Sequence, residues 1–157
     1  AVEMNASEVL MKDGIGKNIA LVGRFPFIPK LRTVAANLWV IEQHPVGDEY
    51  PADSVGSLIP RADVVALTGS ALINHTLDHL LDLCSPDALV MVLGPSTPLS
   101  PVLFDHGATI IAGSRVVDEN AVMSCIGQGA IFRQVSGVRL LAFTRPGSLP
   151  VKERMVS

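Results

Sequence analysis

Glu42 and His44 close an apolar run at residues 38–41 and could offer a carboxylate and an imidazole to a metal ion, although a solvated strand end is the commoner meaning of such a pair. Arg24 follows Gly23 at the end of another apolar run, placed to hold an anionic ligand or simply to stand in water as a loop cation. Ser96 and Thr97 sit inside Gly94-Pro95-Ser96-Thr97-Pro98. The two prolines fix their own φ and bias Gly94 and Thr97 toward extended backbone, so both hydroxyls are expected to project from a stiff loop. His75 and His79 have the i, i+4 spacing of a helical chelating pair. They share that side with Asn74, Asp78 and Asp82, and a solvated helix face accounts for all five residues. Cys84 and Cys125 stand outside any C-x-x-C pairing; both are expected to be reduced, buried among apolar neighbours and bound to no metal. No nucleophile–His–acid set and no G-x-S-x-G elbow is present, which leaves hydrolase chemistry without support and no residue to name as catalytic.

The elements that would position these groups are legible as apolar runs. Residues 88–93 read Ala-Leu-Val-Met-Val-Leu without polar alternation, the pattern of a strand buried on both faces in a parallel sheet covered by helices. Similar runs predict strands at 18–22, 38–41, 63–67, 108–112 and 138–143. Helices are predicted at about 6–13, with Asn5 as N-cap and Glu8 reaching back, once within 50–60, and at 72–84. Two more follow, one after Ser100-Pro101 and one from the N-cap Asp118 to about Ile126. Strands alternating with helices imply an α/β protein, a three-layer, Rossmann-like, doubly wound and mainly parallel sheet of about six strands. An order of 3-2-1-4-5-6 would set strand 18–22 beside strand 88–93. Ligands bind at such switch points, outside the carboxyl ends of the strands. The expected ligand-binding residues are therefore Gly23, Arg24 and Phe25 after the first strand, Glu42 after the second, and Thr68 and Gly69 after the third. Gly94, Pro95, Ser96 and Thr97 complete the set after the fourth.

The first of these loops excludes a conventional dinucleotide site. After Gly23 the chain reads Arg24-Phe25-Pro26-Phe27-Ile28-Pro29, where a G-x-G-x-x-G turn would bring backbone N–H groups to a pyrophosphate. Pro26 and Pro29 have no N–H to give. Glu42 still lies near the spacing, about 20 residues, at which a ribose-binding acid follows that turn.

Composition narrows the partners. The chain of 157 residues suits a single domain, 1–157, with a leading helix and turn over 1–17 and an extended tail over 144–157. A net charge of −3, a pI of about 5.7 and the lack of a basic run argue against nucleic acid and against an anionic membrane as partners. Apolar residues make up 48% and the mean hydropathy is +0.41, yet no apolar run reaches membrane-spanning length. With no signal peptide visible, a cytoplasmic location is expected. The apolar excess suggests a homo-oligomer or a docked partner domain.

Four segments carry a family resemblance. Ile19-Ala20-Leu21-Val22-Gly23-Arg24-Phe25-Pro26-Phe27, Leu38-Trp39-Val40-Ile41-Glu42, Thr68-Gly69-Ser70-Ala71-Leu72-Ile73-Asn74 and Gly94-Pro95-Ser96-Thr97-Pro98-Leu99 resemble the C-terminal domain of a prokaryotic family of unknown function that bears the label "putative heavy-metal chelation". The resemblance runs from about Asn5 to Phe143. It implies a Rossmann-like domain, normally preceded by a smaller enolase-N-terminal-like domain that this sequence lacks, with a candidate site where the two meet. The expected function is small-ligand binding, with a metal ion or a metal-chelating small molecule as the ligand. The alternatives are an enzyme domain using a nucleotide-like or S-adenosylmethionine-type cofactor with its ribose on Glu42, and an interaction domain whose cleft is vestigial.

Overall fold

The apolar runs become strands because only a site covered on both faces can hide them. In the computed structural model, which describes residues 6–147, β1 is Asn18–Val22, β2 Asn37–Glu42, β3 Tyr50–Pro51 and β4 Val64–Thr68. β5 is Leu89–Leu93, β6 Ile110–Val116 and β7 Val138–Thr144. They form one seven-stranded sheet in the order β3-β2-β1-β4-β5-β6-β7. Every pairing is parallel except β6 with β7. Successive side chains point to opposite faces. Ala20, Ile41, Leu67 and Val92 pack on one side, under Leu77, Leu80 and Leu81. Leu21, Val40, Ala66 and Met91 pack on the other, under Val9, Leu10 and Leu31. The result is a three-layer, Rossmann-like α/β domain.

The helices are short. α1 is Ala6–Asp13, α2 Ile28–Leu31, α3 Val55–Leu58 and α4 Ser70–Ile73. α5 is Leu77–Asp82, α6 Val102–Asp105 and α7 Glu119–Gly127. Asp118 caps α7 as its sequence position suggests, its Oδ1 accepting the Ala121 N–H at 3.0 Å. Asn5, the expected cap of α1, lies outside the described residues, as does the tail beyond residue 147. No described helix is long and apolar enough to cross a membrane.

Two expectations are overturned. The strand at residues 63–67 was expected beyond β2, with 18–22 against 88–93; instead β4 lies between β1 and β5, with Leu21 opposite Ala66 and Ala66 opposite Met91. The reason is in its composition. Val64, Val65, Ala66 and Leu67 are apolar toward both faces and no more than 2% exposed, a demand that only a central position satisfies. The edge beyond β2 is taken by the two-residue β3, whose Pro51 is tolerable where a ladder N–H is not needed. The topological switch point therefore falls between β1 and β4.

The single helix expected over 72–84 is two. His75 adopts a φ of +54°, which the right-handed helix excludes. Thr76 turns back on α4, its N–H and its hydroxyl both donating to the Ala71 carbonyl, at 3.0 and 3.1 Å. α5 then restarts with Leu77, Leu80 and Leu81 buried. Apolar periodicity runs through this break, which is why sequence spacing does not reveal it.

Candidate functional site

The loops after β1 and β4 meet closely, and glycine permits it. Gly23 ends β1 at φ +112°, and a Cβ there would lie 3.1 Å from Thr68 Cβ. Its N–H donates to the Ile41 carbonyl at 3.1 Å, tying the loop to β2.

Arg24 is already engaged. Its Nε and Nη2 donate to Glu49 Oε1 and Oε2 at 2.9 and 2.8 Å, and Nη2 also donates to the His44 carbonyl at 2.8 Å. Glu49 Oε2 accepts the Val46 N–H as well, at 2.9 Å, so the pair fastens residues 44–49 over the end of β1. Hydrogen bonding to Arg24 and the Val46 N–H lowers the Glu49 carboxyl from its ordinary 4.5 to about 2, while the same carboxylate raises the guanidinium. A folded-state value below the unfolded one means that this contribution is fully present above pH 4.5 and is lost as pH falls through about 2. The Glu49 side-chain carboxyl carbon should thus titrate by NMR with a midpoint near 2; a midpoint near 4.5 would show that the fastening does not hold in solution.

The single cleft expected from sequence is two cavities on opposite faces of the sheet, with Arg24 and Thr68 lining both. The first, of about 820 Å³, opens at the switch point beside α5. It is lined by Gly23, Glu42, His44, Asp53, Ser70 and His79 among others. The second, of about 980 Å³, takes Phe25, Gly94 and Pro95. Of the expected residues, Gly69, Ser96 and Thr97 line neither.

Thr97 corrects the expectation most sharply. Its side chain does not project: the residue is 4% exposed, and Oγ1 has no hydrogen-bond partner among the described residues. The loop folds inward, with the Thr97 N–H donating to the Gly94 carbonyl at 3.0 Å and the Ser114 hydroxyl donating to the Pro95 carbonyl at 2.8 Å. Thr97 is thereby wedged between Gly69 and Gly113. An unpartnered buried hydroxyl costs more than an apolar group of similar shape. Thr97→Val is expected to raise stability by about 1 kcal/mol in urea denaturation; a loss of that size would mean that the hydroxyl is satisfied.

Glu42 is the other notable group. It is half-buried at the carboxyl end of β2, lines the switch-point cavity, and has no hydrogen-bond or ion-pair partner among the described residues. Glu49 takes the hydrogen bonds of Arg24, whose charge reaches Glu42 only through space, and so leaves the Glu42 oxygens without a bonded cation among the described residues. Glu49, Asp53, Ser70 and His79 were not expected at the site. Glu49 comes from a loop with no periodic signal, Asp53 from the one-turn 3-10 helix Ala52–Ser54, too short to show one, and His79 from α5, which restarts after the break at His75.

The donors do not make a complete metal centre. Among the described residues no three His, Cys, Asp or Glu side chains cluster closely enough to hold an ion. His75 and His79 do not act as a helical pair, since only His79 lines the cavity. Both cysteines are free. Burial pushes the Cys84 thiol up to about 11, while half-buried Cys125 is not enclosed by apolar neighbours and meets the Ser136 hydroxyl at 3.3 Å, which lowers its pKa.

Comparison with known proteins places this arrangement. Residues 5–145 match the DUF364 family, whose description reads "Putative heavy-metal chelation". An uncharacterized protein of Methanocaldococcus jannaschii is 34% identical over 119 residues, covering 72% of this chain and 46% of its own. A crystal structure of a DUF364 protein of unknown function from Desulfitobacterium hafniense superposes with a TM-score of 0.80 at 26% identity, over 90% of this chain and 57% of that one. Another, from Pyrococcus horikoshii, shares the fold with a TM-score of 0.78 at 22% identity, over 92% of this chain and 60% of that one. The chain thus spans about half the length of the curated relative it matches. With the profile covering nearly all of the described residues, the chain belongs to the DUF364 family.

Proposed function

We propose that the protein binds a small metal-chelating molecule, or its metal complex, in the switch-point cavity, with Glu42 as the principal anchor. The observation that carries this reading is the half-buried Glu42 carboxylate, which has no hydrogen-bond or ion-pair partner among the described residues and stands near a cation whose hydrogen bonds Glu49 has already taken. A ligand bearing an ammonium group, hydroxyls or an open metal coordination position meets a ready acceptor there. The family description supports a connection with metal. The lack of a three-donor cluster among the described residues favours a metal whose main ligands come from the small molecule. Exposed Met123 (68%) and Ile126 (57%) on α7, a helix with no buried residue, support the association expected from the apolar composition.

A second reading rests on one observation. Glu42 at the end of β2 occupies the position from which an acid accepts ribose hydroxyls in Rossmann-like sites, and Asp53 lines the same cavity. An S-adenosylmethionine-type cofactor, and hence an enzyme domain, would use it.

Thermal denaturation with nickel(II) alone, nickel(II)–histidine complex and S-adenosylmethionine separates the readings, since a ligand that prefers the native state raises the midpoint by mass action. The complex should raise it in the native protein and by clearly less, at the same concentration, in Glu42→Gln. An equal rise with nickel alone would contradict the proposal, and a rise confined to S-adenosylmethionine would transfer the site to the second reading.

A further inference from the structure

The second cavity has a chemistry of its own. The loop after β1 replaces phosphate-cradling glycines by Phe25-Pro26-Phe27. It folds so that the two rings stack, with centroids 5.1 Å apart and planes 15° from parallel. The rings form part of an apolar wall that continues through Leu93, Leu140 and Leu141. Leu140 remains 58% exposed and Phe132, which also lines the cavity, 42%. The charged residues among those lining the cavity are Arg24, Lys30 and Arg139, all cations, with no carboxylate in the set. Arg24 is held by Glu49, but Lys30 and Arg139 make no ion pair among the described residues. The switch-point cavity, by contrast, is lined by Glu42 and Asp53.

We propose that this aromatic cavity is a separate binding site for a small amphipathic anion, a molecule with a flat apolar body and one carboxylate or phosphate. The flat body lies against the Phe25 and Phe27 rings and the leucines, where aromatic stacking adds to the gain from apolar burial. Lys30 and Arg139 take the anion through charge-assisted hydrogen bonds. Two cations with no ion-pair partner among the described residues, beside an apolar wall, select against neutral ligands of the same shape and against cations. The site does not depend on Glu42.

The probe is 2-naphthoate, compared with its neutral amide, 2-naphthamide, by ¹H–¹⁵N NMR titration of the full chain. Naphthoate should shift the amides of Phe25, Phe27, Leu140 and Leu141. The amide should bind at least about tenfold more weakly, the loss expected when a charge-assisted bond is removed. A Lys30→Gln/Arg139→Gln double variant, altered only at exposed positions, should lose about the same factor for naphthoate and none for naphthamide. Equal affinity for acid and amide would overturn the proposal. So would shifts confined to the switch-point residues, or no saturation at millimolar naphthoate.

Discussion

Gly69→Ala is expected to destabilise the protein by roughly 1–3 kcal/mol, toward the upper end of that range, because the added methyl would have to occupy space that backbone already fills. A Cβ on Gly69 would fall 2.5 Å from Thr97 Oγ1, 2.6 Å from the Thr97 amide nitrogen and 2.7 Å from its Cα. Real Cβ contacts do not come this close, and two of the three atoms cannot rotate away. The Gly69 N–H also donates to the Leu93 carbonyl at 2.9 Å, which pins the loop after β4 to the end of β5. The loop after β5 is pinned from its other side as well, since a Cβ on Gly113 would lie 2.5 Å from the Thr97 carbonyl oxygen. Relief therefore requires moving the whole 94–97 loop. Gly56→Ala is the control, because nothing lies within 4 Å of a Cβ there. Urea denaturation of the two variants should differ by at least about 1 kcal/mol. Indistinguishable midpoints would mean that the close approach of Gly69 to Thr97 is not maintained in solution.

The second large effect concerns binding and not stability. Glu42→Gln should cost roughly 1.5–3 kcal/mol of ligand affinity, about ten- to a hundredfold or slightly more, through loss of charge-assisted bonding. Its effect on folding should stay within about 0.5 kcal/mol, because the carboxylate bonds to nothing in the folded protein among the described residues. Arg24→Ala should behave differently. Arg24 ties residues 44–49 to β1, so its truncation loosens the His44 side of the cavity and weakens binding indirectly. Amide exchange in residues 44–49 should therefore accelerate in Arg24→Ala and not in Glu42→Gln. Calorimetry and exchange on the same two proteins separate the roles.

The central strands were legible because burial on both faces leaves only apolar residues, and β1, β2, β4 and β5 fall within a residue or two of the predicted runs. The order was not, for a physical reason: parallel strands joined by helices carry no turn signature that names their neighbours, and the short β3 has almost no pattern to read. At the site, Gly23 and Glu42 could be placed because strand ends are legible. The inward fold of Thr97 could not, because it depends on the backbone approaching Gly69 and Gly113, glycines 28 positions before and 16 positions after it. Neither could the capture of Arg24. Glu49 lies in a loop with no periodicity, and only the folded chain shows that it, not a ligand, holds the guanidinium.

Isothermal titration of nickel(II)–histidine complex into the native protein and into Glu42→Gln tests the central claim most directly. Saturable binding in the native protein, weakened about ten- to a hundredfold in the variant at unchanged folding stability, is the expected result. The same affinity in both proteins would show that the carboxylate at the end of β2 is not the anchor.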